Sequence, residues 1–145
     1  SSINRYAIDT TGKITQSDQI LSGVTQISTQ NTTANSDTYF VGGRFGAVVT
    51  REAETIGFIT KDMNDFIVMN RFSPDRTKLV SIIENNASTR LEINDVSKLP
   101  LITRITSYEI PTVSYSDVIV EEDIIYVMGV TSSGQAQTFI LKYPF

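Results

Sequence analysis

The sequence predicts an all-β chain built of short antiparallel meanders, and three observations predict it. Of its 145 residues, 18 are Ile, 18 Thr and 12 Val, against 12 Leu and Ala together. β-Branched side chains lose rotamer freedom in a helix but pack well on a pleated sheet. No segment sustains the apolar period of about 3.6 residues that marks an amphipathic helix. Finally, strand-like runs return at a nearly constant interval. The pairs Ile14-Thr15, Ile59-Thr60 and Ile102-Thr103 lie 45 and then 43 residues apart.

Taken in chain order, each run has a reason to be a strand. Residues 5–9, 47–51, 90–93 and 138–142 are β-rich, and each of the first three leads through a polar turn into an Ile-Thr pair. A second set, residues 39–42, 79–82 and 125–128, keeps the same phase, as does a third at 24–29, 66–71 and 117–120. Each member of the third set precedes one of the second. With the four positions of the unit lettered a to d, the chain reads c-d, a-b-c-d, a-b-c-d, a-b-c. The connections are rich in Asn, Asp, Ser and Gly, the residues of hairpin turns.

A β-sandwich also has short, regularly spaced strands, but nothing in it requires one sequence to recur with one strand order. A β-propeller does, because every blade is the same four-stranded meander. The expected organisation is therefore a single propeller segment: a partial blade at 1–23, blades at 24–65 and 66–115, and a partial blade at 116–145. That is about three to three and a half blades, fewer than the roughly four at which rings close. We expect the C-terminal part of a larger ring, or a ring completed by further copies. The start at Ser1, without Met, fits a mature, processed or truncated product.

Composition removes several chemistries. With no Cys and no His there is no disulfide, thiolate nucleophile, Cys/His zinc site or Ser-His-Asp triad. No cofactor is expected. A net charge of −4, with 12 basic residues scattered along the chain, argues against nucleic-acid binding. No run reaches the roughly 20 apolar residues of a transmembrane helix.

Certain motifs resemble known repeats. Phe72-Ser73-Pro74-Asp75-Arg76-Thr77-Lys78-Leu79-Val80 resembles the SPDG-K-L-V turn of YVTN-type, WD40-like propellers, with Arg76 where Gly is usual. The run from Leu91 to Pro100, which contains Asp95-Val96-Ser97, resembles the DVSNP run of LVIVD-repeat propellers, as the run from Ser116 to Val127 resembles their DVxVxGNYAYV run. The resemblance covers residues 72–130 well and 1–60 weakly. It implies a fold and no single activity, since such families host enzymes, receptors and adhesins alike.

Candidate site residues follow from the propeller expectation, in which b–c and d–a loops open on one face. They are Arg44 in the 43–46 turn, Asn85 and Asn86 in the 85–89 turn, Ser133 and Gln135 in the 131–136 turn, and Asp65 and Tyr115 in the d–a connections, with Asp62 and Tyr108 beside them. Asn31-Thr32-Thr33 and Asn86-Ala87-Ser88 are glycosylation sequons, so Asn31 and Asn86 are candidate acceptors. Asp62, Asn64 and Asp65 offer oxygen ligands but lack the spacing of a calcium loop, and Glu121-Glu122-Asp123 reads as a solvated turn. The aromatics within strands, Phe58, Phe66, Phe72 and Tyr126 among them, are expected between blades rather than as a sugar platform. No catalytic residues are assigned and no metal is expected.

The resulting expectation is a non-enzymatic, extracellular or cell-surface module that binds another protein or assembles with further blades or copies, with a glycan as a further partner. The alternative is a segment of a carboxylate-based propeller glycosidase or lyase, which would need two carboxyls about 5–10 Å apart.

Overall fold

The computed structural model describes residues 2–22, 32–35, 38–52, 54–86, 88–131 and 137–145. Among these every regular element is a strand, and every strand pairing is antiparallel. The chain opens with a hairpin of β1 (Ser2–Ile8) and β2 (Ile14–Ser22). Asp9 shapes its turn: one carboxylate oxygen accepts from the Thr11 and Lys13 amides and from the Thr11 hydroxyl.

Next come β3 (Thr32–Asn35), β4 (Thr38–Val41), the two-residue β5 (Gly43–Arg44), β6 (Ala47–Thr50) and β7 (Thr55–Phe58). Strands β3, β4, β6 and β7 form one sheet in that order, a plain meander. Two differences from the sequence expectation stand out here. Residues 24–29, expected as the first strand of this unit, lie outside the described residues, and the first strand seen is β3. Residues 43–46, expected as an open loop, instead contribute β5, whose Gly43 and Arg44 pair with Ile67 and Phe66 of the following sheet. Positive φ at Gly43 (97°), Phe45 (66°) and Gly46 (64°) lets the chain leave one sheet, touch the next and return.

The third sheet contains β8 (Asp65–Phe72), β9 (Lys78–Asn85), β10 (Ser88–Lys98) and β11 (Leu101–Ile110), again a meander, with β5 added beside β8. Its β8–β9 turn is held by side chains. The Ser73 hydroxyl donates to Asp75 and accepts from the Lys78 amide, while Asp75 also accepts from the Thr77 amide and hydroxyl. Arg76 sits at φ 59°, the left-handed position where the resembled motif carries Gly. At the β10–β11 turn Asp95 accepts from the Ser97 amide and hydroxyl, repeating the device of Asp9 one hairpin type later. The last sheet is β12 (Ser114–Val120), β13 (Ile124–Thr131) and β14 (Gln137–Pro144). Glu121, Glu122 and Asp123 are exposed in the β12–β13 turn.

Packing shows how the sheets stand. In β9, Leu79 and Ile83 pack with Val48, Ile59, Ile67 and Val96, on the side of the preceding sheet. Val80 and Ile82 point the other way, into a cluster with Met69, Leu91, Ile93, Ile110, Val118, Ile125 and Val127, on the side of the following sheet. The central sheet is therefore covered on both faces by its neighbours in sequence. Strand side chains alternate faces, so Ile82 and Ile83, adjacent and both 0% exposed, belong to different cores. The outer face of the last sheet has no such cover among the described residues: Ile119 and Ile140 are 46% and 58% exposed, beside Tyr126 with Lys142 Nζ 5.3 Å over its ring.

The aromatics divide: Phe72 packs against one core and Tyr108, Tyr115, Tyr143 and Phe145 against the other, all partly buried, whereas Phe58 is exposed. Every fully buried large side chain among the described residues is Ile, Leu, Val or Met. Phe58 is 53% exposed, and Phe66, Phe72 and Tyr126 are only partly buried. Sheets packed about 10 Å apart are filled by interdigitating aliphatic side chains, and the rings sit at the margins of that space.

Candidate functional site

Sequence alternation places a polar row inside the stack. In β10, Leu91 and Ile93 enter one core, so Arg90, Glu92 and Asn94 share the opposite face, toward the preceding sheet. There they meet the β7–β8 connection. Asp65, fully covered at the start of β8, receives Arg90 in a two-pronged ion pair, Nη1 to Oδ1 at 2.8 Å and Nη2 to Oδ2 at 2.6 Å. Thr60 also donates its hydroxyl to Asp65, and Asn85 donates Nδ2 to it at 2.7 Å.

The third edge of Arg90 is used too: Nε donates to Glu92 at 3.0 Å, and Asn94 Nδ2 donates to the same carboxylate at 3.1 Å. Burying charge is costly unless it is paired and hydrogen-bonded. Here Asp65, Asn85, Arg90, Glu92 and Asn94 stand on paired strands, with Thr60 supplied by the β7–β8 connection, so the network is held in place. Burial alone would raise the Asp65 carboxyl, but hydrogen bonds from Arg90, Thr60 and Asn85 and the Arg90 charge outweigh it and hold it at about 2. The Asp65 bonds in turn drive Arg90 further up. Asp65 is thus ionised across the physiological range and cannot serve as a general acid there.

Above this network lies an open groove of about 590 Å³. Its rim carries exposed Lys61, Asp62 and Arg104, and its apolar side carries Phe58 and Ile102. Arg104 is 64% exposed and its nearest carboxylate is Glu92 at 3.9 Å, a loose contact that leaves the guanidinium available. Phe58 is braced edge-on by Phe45, with centroids 5.9 Å apart. A smaller cavity of about 360 Å³ lies by the Ser73–Lys78 turn, with Glu122 and Phe145 on its wall and Lys78 Nζ 4.8 Å over the Phe145 ring.

Of the sequence candidates, Asp62, Asp65 and Asn85 meet: Asn85 Nδ2 donates to Asp65 at 2.7 Å and to Asp62 Oδ2 at 3.2 Å. Asp62 Oδ1 accepts from the Asn64 amide, so the trio weighed for calcium acts as a turn and an ion-pair anchor. No group of three His, Cys, Asp or Glu suited to a metal occurs among the described residues. Arg44 is exposed on β5, and Asn86 is exposed with φ 50° at the β9–β10 turn. Tyr115 is half-buried against the core and donates its hydroxyl to the Pro111 carbonyl; burial first, then Tyr143 and Glu84, push it up to about 12. Asn31, Ser133 and Gln135 lie outside the described residues.

Sequence reasoning passed over Arg90, Glu92, Arg104 and Lys61 and assigned Phe58 to the space between blades. The signal was present in the alternation Arg90-Leu91-Glu92-Ile93-Asn94, where three polar residues share the face of a strand whose neighbours bury both faces. No family model, curated protein or solved structure matches the chain. Among the described residues no helix is long and apolar enough to cross a membrane.

Proposed function

We propose that this chain is a run of β-propeller blades, forms part of a larger ring, and serves as a non-enzymatic binding or assembly module outside the cell. The observation that carries the reading is the burial of both faces of the central sheet by the sheets before and after it in sequence. A two-layer sandwich buries one face of each sheet, whereas successive blades of a propeller stack face to face around an axis. The in-phase order of strands in the sheets at 32–58, 65–110 and 114–144 supports the same reading.

The exposed outer face of β12–β14 is where a further blade would sit. That sheet has three strands, and the sheet before it is a four-strand meander with β5 added beside β8. The completing blade comes from further sequence of the same polypeptide or from another copy. The groove carries the binding role. Asp65 favours recognition over acid catalysis, because it is locked in an ion pair with Arg90 and held at about 2. Extracellular placement rests on the Thr- and Ser-rich surface and on the exposed sequon residue Asn86.

Electron microscopy of the native assembly tests the reading. Projections with sheets arranged radially around a central axis are the expected result. Two sheets packed face to face with no axis would refute it.

A further inference from the structure

We propose that the groove above Asp65 and Arg90 binds a neutral saccharide. The inference deepens the binding role given above and rests on it. The lining carries three cations, Lys61, Arg90 and Arg104, and three carboxylates, Asp62, Asp65 and Glu92. Their formal charges cancel, so the groove as a whole carries no net charge to favour an ion of one sign. What it offers instead is donors and acceptors in close alternation.

The inner residues are locked to one another: Arg90 to Asp65 and Glu92, Asn94 to Glu92. Their positions are thereby set before any ligand arrives, which lowers the ordering cost of binding. The rim residues keep capacity to spare. Lys61 and Arg104 are exposed donors, and Asp62 is an exposed acceptor. A sugar hydroxyl both donates and accepts, and adjacent hydroxyls can bridge a cation and a carboxylate that stand side by side.

The apolar side of the groove matches the other half of a pyranose. Phe58 is 53% exposed, and Phe45 stands edge-on to it with ring centroids 5.9 Å apart. An exposed ring fixed in orientation, facing a polar wall, suits a ligand with a C–H face and a hydroxyl rim. Ile102 extends that surface.

The test is saturation-transfer NMR with methyl α-D-mannopyranoside, methyl β-D-galactopyranoside, N-acetyl-D-glucosamine and D-galacturonate, on the native protein. Phe58→Ala and Arg104→Gln are suitable variants, since both side chains are mostly exposed and Arg104 touches the buried network only through its 3.9 Å contact with Glu92. We expect at least one neutral sugar to bind, and each variant to weaken it about tenfold or more while the unfolding midpoint stays in place. Silence from all neutral sugars, binding of galacturonate alone, or binding indifferent to both variants would overturn the proposal. Micrographs of the same sample keep the two readings apart: a ring without sugar binding defeats only the saccharide assignment.

Discussion

Replacing Asp65 with Asn removes one charge from the buried network and changes almost nothing else in size. The carboxyl is held at about 2 against an ordinary value of 3.8. At about 1.4 kcal/mol per pKa unit, that difference corresponds to about 2 kcal/mol of stability at neutral pH. That difference already contains the pairing with Arg90, which keeps Glu92 as a partner and is 24% exposed, so a loss of about 2 kcal/mol is expected at pH 7.

The sign with pH follows from the depressed carboxyl. Its contribution is complete above the unfolded value of 3.8 and fades as pH falls through about 2. The gap between the parent protein and Asp65→Asn should therefore be constant from pH 7 to about 5 and shrink by roughly 1 kcal/mol by pH 3. Other carboxylates titrate alike in both proteins and cancel in the difference. Urea unfolding followed by far-UV circular dichroism, at several pH values, measures it. A loss under about 0.5 kcal/mol at pH 7, or a gap that does not change between pH 5 and 2.5, would refute the reasoning.

Other sites give sharper local tests. Arg76→Gly relieves a left-handed backbone position and should raise stability by roughly 0.5–1 kcal/mol after the entropy of Gly is counted, read from the urea midpoint. Gly46→Ala should cost more than about 2 kcal/mol, because its Cβ would stand 2.7 Å from Ile59 Cδ1 and 2.8 Å from Ile67 Cγ1 at a φ of 64°; thermal unfolding shows it. Asp75→Ala removes the acceptor for the Thr77 amide and both hydroxyls of the β8–β9 turn, and faster amide exchange at Thr77 is the expected readout. Expression through a eukaryotic secretory pathway should add a glycan at Asn86, visible as added mass that Asn86→Gln removes.

Much of the fold could be read from the residues because strand periodicity is local. Residues 79–82 were legible as a strand from their β-rich composition and their phase in the repeat, and in the structure Leu79 and Ile83 face one core and Val80 and Ile82 the other. The turn at Ser73–Lys78 could be read for the same reason, since Pro74 and Asp75 act within five residues of each other. The site was less legible. Asp65 and Arg90 are 25 positions apart and meet only because β8, β9 and β10 pair in register, with Arg90 opposite Ile83 and Ile83 opposite Ile67. Arg44, exposed as expected, looked like a loop residue in the sequence because a two-residue strand carries almost no periodic signal. Phe58 looked like a core residue because its strand is β-rich, and only the packing of the sheets decides which of its sides meets water.

The burial of both faces of the central sheet is tested most directly by truncating two neighbouring residues of β9 in turn. Ile82 faces the sheet that follows and Ile83 the sheet that precedes, and both are 0% exposed. Stacked blades require Ile82→Ala and Ile83→Ala to destabilise alike, each by roughly 2–5 kcal/mol in urea unfolding. If either substitution proves neutral to within about 0.5 kcal/mol, one face of the sheet is open to water and the stack of blades is wrong.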